Sequence, residues 1–278
     1  MKTFEQTDRY FVLSTGRAGT SFLYQMLQRS LPEAVCFQEP APSWRFNIAS
    51  NLYSEGRLPP AMMRWLTRNF IASRTRLLRR QTETGNSLRP YIEINPFLYA
   101  FGNNLRESLG ELKILHLVRH PFTYITSSLN FRPPGWRGRL IQKPVWNVNV
   151  SRALKSARIP WGKISPAERK AWQWRYINEQ ISAYQTVSSR FLPVKFENLV
   201  SGESRIRQNT LEAISHFFGG LKFVLPGGRF FEDKANPSRP GSPHEWKHWD
   251  AETKKSILSI CGGLMEKYGY TGIPEVYR

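Results

Sequence analysis

Cysteine is almost missing from this chain: of 278 residues, only Cys36 and Cys261 carry a thiol. Two cysteines make neither a disulfide framework nor a Cys-based zinc site. One bridge between them is conceivable, but free thiols in a reducing compartment are the plainer expectation. Long apolar runs are missing too, none approaching the roughly 20 residues a membrane-spanning helix needs. Met1 to Asp8 hold no apolar core of the secretory-signal kind, and the expectation is a cytoplasmic protein. No repeat period and no low-complexity linker divides the sequence. At roughly 150 residues per domain, a single domain over 1–278 is the economical reading. Acidic side chains are scarce, with 21 Asp plus Glu against 40 Lys plus Arg, a formal charge of +19 and a pI near 10.3. That excess favours an anionic partner: nucleic acid, an anionic membrane, an acidic metabolite or a polyanionic substrate. No helix-turn-helix, zinc-finger or RNA-binding signature appears, which counts against specific nucleic-acid recognition.

What is present can fold. Hydrophobic residues make up 40% and aromatics 13%, enough for a sizeable core. Tyr10 to Ser14 reads as a short strand, Thr15 to Gly19 as a glycine turn, and Phe22, Leu23, Met26 and Leu27 recur at helical spacing. Ala34–Phe37, Tyr91–Ile94, Leu112–Val118 and Phe191–Phe196 are further strand candidates. Residues 61–80 read as an amphipathic basic helix bearing Arg64, Arg68, Arg74, Arg79 and Arg80, with a candidate break at Ser73. Pro121 opens a helix near Phe122. Ser165-Pro166-Ala167-Glu168 is a capping signature for a long helix to about Ser189. Helices are also expected over 203–218 and from Ala251 to about Tyr268, with long irregular stretches over 132–165 and 219–249. Strands alternating with helices predict an α/β fold with a mostly parallel central sheet flanked by helices.

The turn Ser14-Thr15-Gly16-Arg17-Ala18-Gly19-Thr20-Ser21 lies between first strand and first helix. Glycines there let backbone N–H groups close on an anion, and the helix N-terminus adds positive charge. Arg17, Thr20 and Ser21 supply further donors. A nucleotide-triphosphate loop needs a Lys where Thr20 stands and a Gly where Ser14 stands. The buried strand 114–118 ends in Arg119 rather than an Asp suited to Mg²⁺. A nucleotide or sugar kinase with a degenerate loop is therefore the weaker alternative, as is a basic nucleic-acid-binding protein. Arg119 offers a planar fork to a phosphate, and Ser127, two helical turns on, offers a hydroxyl. Two such turns imply a ligand with two separated anionic groups.

These residues carry a resemblance. Gly16–Leu23 resembles the 5′-phosphosulfate loop of the sulfotransferase superfamily, and Val118-Arg119-His120-Pro121 with Ser127 and Phe131 resembles its 3′-phosphate motif. Leu192–Val200 is similar to the family's strand-and-turn. Asn236-Pro237-Ser238, Trp246 and Lys267-Tyr268-Gly269-Tyr270 are similar to its C-terminal pattern. The resemblance spans nearly the whole chain, in order. It implies a P-loop-like nucleotide site and metal-free, in-line transfer of a sulfuryl group from 3′-phosphoadenosine 5′-phosphosulfate (PAPS) to a hydroxyl or, second, an amine. The acceptor would be a small molecule, lipid or glycan, and the product nucleotide adenosine 3′,5′-bisphosphate (PAP). By the same implication Arg17, Ala18, Gly19, Thr20 and Ser21 hold the 5′-phosphosulfate, and Arg119 and Ser127 the 3′-phosphate. Asn236 and Ser238 complete the nucleotide site, and Glu39, before Pro40, is the general base. Glu93, His116 and His120 remain competitors for that role. Arg17, standing where many members carry Lys, implies electrostatic rather than protonic help to the leaving group.

The donor accounts for only part of the charge. The 61–80 helix and a loop with Arg132, Arg137, Arg139 and Lys143 suit an acidic glycan, an anionic lipid surface or plain solvation. Trp136, Trp146 and Trp161 read either as an acceptor wall or as core.

Overall fold

The structure, a computed structural model, describes residues 4–82, 89–131, 159, 163–224 and 245–274. The expected acceptor loop (Arg132, Arg137, Arg139, Lys143, Trp136, Trp146, Trp161) and the expected nucleotide contacts Asn236 and Ser238 lie outside them. Five strands form one sheet: β1 (Arg9–Leu13), β2 (Val35–Gln38), β3 (Tyr91–Ile94), β4 (Lys113–Val118) and β5 (Arg190–Lys195). Their order is β2-β3-β1-β4-β5, and every pair is parallel. Every residue of β1 and β3 is buried, as expected of central strands covered by helices on both faces.

Side chains alternate between the faces, so Phe11, Leu13, Tyr91, Glu93, Ile114 and His116 share one and Tyr10, Val12, Ile92, Ile94, Leu115 and Leu117 the other. The second face packs on Phe22, Leu23, Met26 and Leu27 of α1 (Thr20–Ser30) and on Leu211, Ile214 and Phe217 of α8 (Ser204–Phe217). The first is covered by α2 (Ser43–Ser54), α3 (Pro60–Thr82), α4 (Gly102–Leu109) and α6 (Pro166–Ala183). A third cluster joins Phe122 and Ile125 of α5 (Pro121–Leu129) to Trp174 of α6 and to Ile257, Cys261 and Met265 of α9 (Ala251–Lys267). Both cysteines are free, Cys261 within this cluster and Cys36 on β2. Among the described residues, no helix is long and apolar enough to cross a membrane.

Several local expectations change. The expected capping box forms: Ser165 Oγ accepts from the Glu168 amide at 3.2 Å, and Glu168 Oε2 accepts from the Ser165 amide at 2.7 Å. That helix gives way to a 3-10 turn at Tyr184, earlier than Ser189. α3 runs unbroken through Ser73, whose hydroxyl bonds back to the Phe70 carbonyl. α2 and α4 had no counterpart in the sequence reading. α4 opens on Gly-Asn-Asn, poor helix formers, and is held by Leu105 and Leu109 packing inward. Gly102 is needed there because a Cβ would lie 2.4 Å from the Tyr184 ring.

β1 leads away towards β2, whereas β4 leads towards β5 on the other side. The connections after β1 and β4 thus run to opposite sides of the sheet, the arrangement that places a crevice at the carboxyl ends of two neighbouring parallel strands.

Candidate active site

Both sequence-predicted anion turns leave the strands that flank this crevice. After β1, Gly16 (φ 71°), Arg17 (φ 50°) and Gly19 (φ 92°) all take left-handed conformations, curling the backbone ahead of α1. Ser14 Oγ accepts from the Gly16 amide at 3.1 Å and steadies the turn. Gly19 occupies the cap position of α1, where no side chain caps the helix, so its first amides stay available to an anion. A Cβ on Gly19 would lie 2.1 Å from the Phe196 ring. That ring, at the start of α7 (Phe196–Leu199), forms the floor of the turn.

The two turns meet. Arg119 Nη1 donates to the Arg17 carbonyl at 3.0 Å, and Arg17 Nε donates to Ser127 Oγ at 3.2 Å. Arg17 also lies over the Phe131 ring at 4.4 Å, so its guanidinium reaches across from the first turn to the second. Arg119 is braced by Thr123 Oγ1 at 3.1 Å and stacks over Phe196 at 5.3 Å. Neither arginine has a carboxylate within salt-bridge distance among the described residues. Burial lowers the pKa of Arg17. Burial also lowers that of Arg119, with the Arg17 charge adding to the effect and Glu197 opposing it. Two partly desolvated cations side by side, neither in a salt bridge among the described residues, present positive charge suited to an anion.

Glu39 follows β2, and its amide donates to the Ile94 carbonyl at 3.0 Å. The preceding side chain ties it to the turn, since Gln38 Nε2 donates to Ser21 Oγ at 2.9 Å. Among the described residues, the Ser21 hydroxyl accepts this bond and donates none. Glu39 is half-buried and has φ 44°, which a non-glycine residue adopts only under constraint. Its carboxylate has no hydrogen-bond or ion-pair partner among the described residues, and burial alone raises its pKa. A carboxylate so placed is suited to accept a proton.

The competing bases do not fit. Glu93 is fully buried, taking Arg74 Nε at 2.8 Å, Arg74 Nη2 at 2.6 Å, Asn95 Nδ2 at 2.7 Å and the Tyr91 hydroxyl. All its lone pairs are engaged. Arg74 is correspondingly no part of a solvated basic face: it is 0% exposed. His116, also enclosed, sits 2.9 Å from Asn178 Oδ1, and burial pushes its pKa to about 3. It is a core residue, as its place inside the strand suggests. His120 caps α5, accepting from the Phe122 amide at 3.4 Å through Nδ1, and burial lowers its pKa to about 4. Its amide donates to Glu197 Oε1 at 2.9 Å, and Glu197 Oε2 takes the Tyr270 hydroxyl at 2.8 Å. Glu197 thereby binds the β4 and β5 ends to the C-terminal region.

Gln38, Thr123, Phe196 and Glu197 were not singled out from sequence. Thr123 was findable, lying one helical turn beyond Arg119. Phe196 and Glu197 sit inside a recognised stretch without a role attached to them. Among the described residues, no group of three His, Cys, Asp or Glu side chains is placed to hold a metal ion. A cavity of about 650 Å³, lined in part by Tyr53, Arg57, Ala100, Tyr176 and Gln180, opens between the α2–α3 connection and α6. No residue of either anion turn lines it.

Comparison with known proteins places the fold. No protein-family model matches the chain, and no curated protein does. Solved structures do match. The sulfotransferase domain of the Synechococcus PCC 7002 olefin synthase aligns over 99% of this chain and 98% of its own, with a TM-score of 0.50 and 18% identity. A sulfotransferase from Alicyclobacillus acidocaldarius aligns over 95% and 96%, at a TM-score of 0.49 and 13% identity. The described residues form a sulfotransferase-like α/β fold.

Proposed function

We propose that this protein is a sulfotransferase that moves a sulfuryl group from PAPS to an acceptor hydroxyl. One observation carries the reading: two partly buried arginines, with no carboxylate in salt-bridge distance among the described residues, converge with an uncapped helix N-terminus at the carboxyl ends of two adjacent parallel strands. The donor set suits two phosphates. The amides of Gly19, Thr20 and Ser21 and the Ser21 hydroxyl would hold the phosphosulfate end, and Arg119 with Ser127 the 3′-phosphate, while Ala18 packs beneath the turn. Arg17 stands between the poles, where its charge serves either phosphate. PAPS supplies an activated sulfuryl group whose leaving group is a phosphate.

The protein's part is positional and electrostatic. Amides aimed in advance at the phosphosulfate stabilise charge that grows as the sulfur–oxygen bond breaks. A guanidinium does not give up a proton at neutral pH, so Arg17 neutralises charge rather than acting as an acid. Anchoring the far phosphate fixes the sulfuryl group in line with the acceptor. Glu39 takes the acceptor's proton as the new oxygen–sulfur bond forms. The acceptor is the open term. The exposed face of α3, with Arg64, Arg68, Arg76, Arg79, Arg80 and the exposed Trp65, favours an anionic glycan or a lipid head group over a neutral small molecule. Incubating the protein with PAPS and a metabolite mixture, then searching by mass spectrometry for products heavier by one sulfuryl group, tests the reading. PAPS-dependent products that vanish in Glu39→Gln support it, and their absence across acceptor classes overturns it.

A further inference from the structure

The buried Arg74–Glu93 pair lies directly behind the turn that carries Glu39, and its geometry is more specific than an ion pair requires. All five N–H donors of Arg74 are engaged. Nε and Nη2 meet the two Glu93 oxygens at 2.8 and 2.6 Å. The remaining Nη2 hydrogen serves the Pro40 carbonyl at 3.1 Å, and Nη1 serves the Ala41 carbonyl and Ser73 Oγ, each at 3.1 Å. The guanidinium is also stacked over Phe70 at 4.5 Å. Two of its bonds therefore end on the two peptide carbonyls that follow Glu39.

The Pro40 carbonyl is held by a second donor as well. Ser43 Oγ donates to the Pro40 carbonyl at 2.6 Å, and Asn95 Nδ2 bridges Ser43 Oγ at 3.2 Å to Glu93 Oε1 at 2.7 Å. With the Glu39 amide bonded to Ile94, each of residues 39, 40 and 41 has a backbone group pinned. This is the constraint that a glutamate at φ 44° needs.

We propose that Arg74 is a positioning residue for the general base: seated on Glu93, it clamps the Pro40 and Ala41 carbonyls and so holds Glu39 in its left-handed conformation beside the phosphate turn. The inference rests on the sulfotransferase reading and on Glu39 as its base. It gives Glu93 a role as the anchor that orients Arg74, with no direct part in proton transfer. Lys in place of Arg74 keeps the charge opposite Glu93, but its three donors on one nitrogen cannot fork onto two carbonyls and two carboxylate oxygens.

The test compares Glu39→Gln, Arg74→Lys, the charge-neutral double variant Arg74→Met/Glu93→Gln, and Ser43→Ala, which loosens the turn while leaving the ion pair whole. Calorimetry reads PAP affinity, and steady-state kinetics with PAPS reads kcat across pH. Arg74→Lys and the double variant are expected to bind PAP like the parent and to lose about 100-fold in kcat, the scale of a roughly 1 Å misplacement. Ser43→Ala should lose less, in the same direction. Burial is the one influence on the Glu39 carboxyl among the described residues, so a loosened, better hydrated Glu39 moves the acid limb of the kcat profile to lower pH. Adding Glu39→Gln to Arg74→Lys should cost little further. If Arg74→Lys or the double variant fails to fold, Ser43→Ala carries the test. Full kcat with an unmoved acid limb in the folded clamp variants, while Glu39→Gln is inactive, overturns the clamp alone. An active Glu39→Gln overturns the base and the clamp with it.

Discussion

At the scale of single residues, the account turns on Glu39 and Arg119. Replacing Glu39 by Gln should leave PAP affinity intact and lower kcat by about 10²- to 10⁴-fold, the range for a lost general base. As the proposed base Glu39 would work deprotonated, and burial raises its pKa, so parent kcat should fall on acidification at a pH above the ordinary glutamate value of about 4.3. A raised folded-state pKa also means that the native state binds the proton better than the unfolded chain does. Stability is then lost as pH rises through that window, so Glu39→Gln should have a higher urea midpoint than the parent at pH 8. Arg119→Ala removes charge-assisted bonds worth about 1.5–3 kcal/mol each. PAP affinity should drop about 10- to 100-fold by calorimetry. Arg119 stood out in the sequence because an arginine leaving a buried strand and followed by a helix is suited to a phosphate, whereas Glu39 was named as a base only through the family resemblance, a Glu-Pro pair having many ordinary loop and capping uses. Arg74 was not legible. An arginine on a basic helix reads as solvated, and its partner lies 19 residues away on a strand.

Elements decide how those residues are presented. Gly19→Ala should destabilise the protein by at least about 1–2 kcal/mol from the left-handed backbone alone. It should also abolish PAP binding, because the Cβ meets Phe196 at 2.1 Å; urea unfolding and calorimetry check the two effects. The cap of α5 has its own signature. His120 has a folded pKa of about 4 against 6.5, so the unfolded chain takes up a proton first as pH falls. Stability should therefore decline between pH 6.5 and 4, by at most about 1.4 kcal/mol per pH unit for each such histidine. His116, at about 3, adds to the slope. His120→Asn keeps a capping oxygen and should flatten the decline of thermal midpoint between pH 7 and 5.5. Strands, the capping box and α1 could be read from periodicity and capping residues. α2 and α4 could not, because tertiary packing stabilises them rather than local propensity.

For the molecule as a whole, the parallel sheet was predictable from alternation of strands and helices, but strand order was not, since parallel pairing depends on crossovers that leave no local trace. The order matters because it puts the ends of β1 and β4 side by side and brings Arg17 within reach of both Arg119 and Ser127. The +19 charge exceeds what one nucleotide needs, and any anion will feel it. Affinity for a generic polyanion says little as a result. Titrating PAP and, separately, ATP into the protein with EDTA present is the most direct test of the shared anion site. The account predicts one PAP per chain, bound more tightly than ATP and weakened by Arg119→Ala. ATP binding as tight as PAP, or PAP binding indifferent to Arg119, would contradict it.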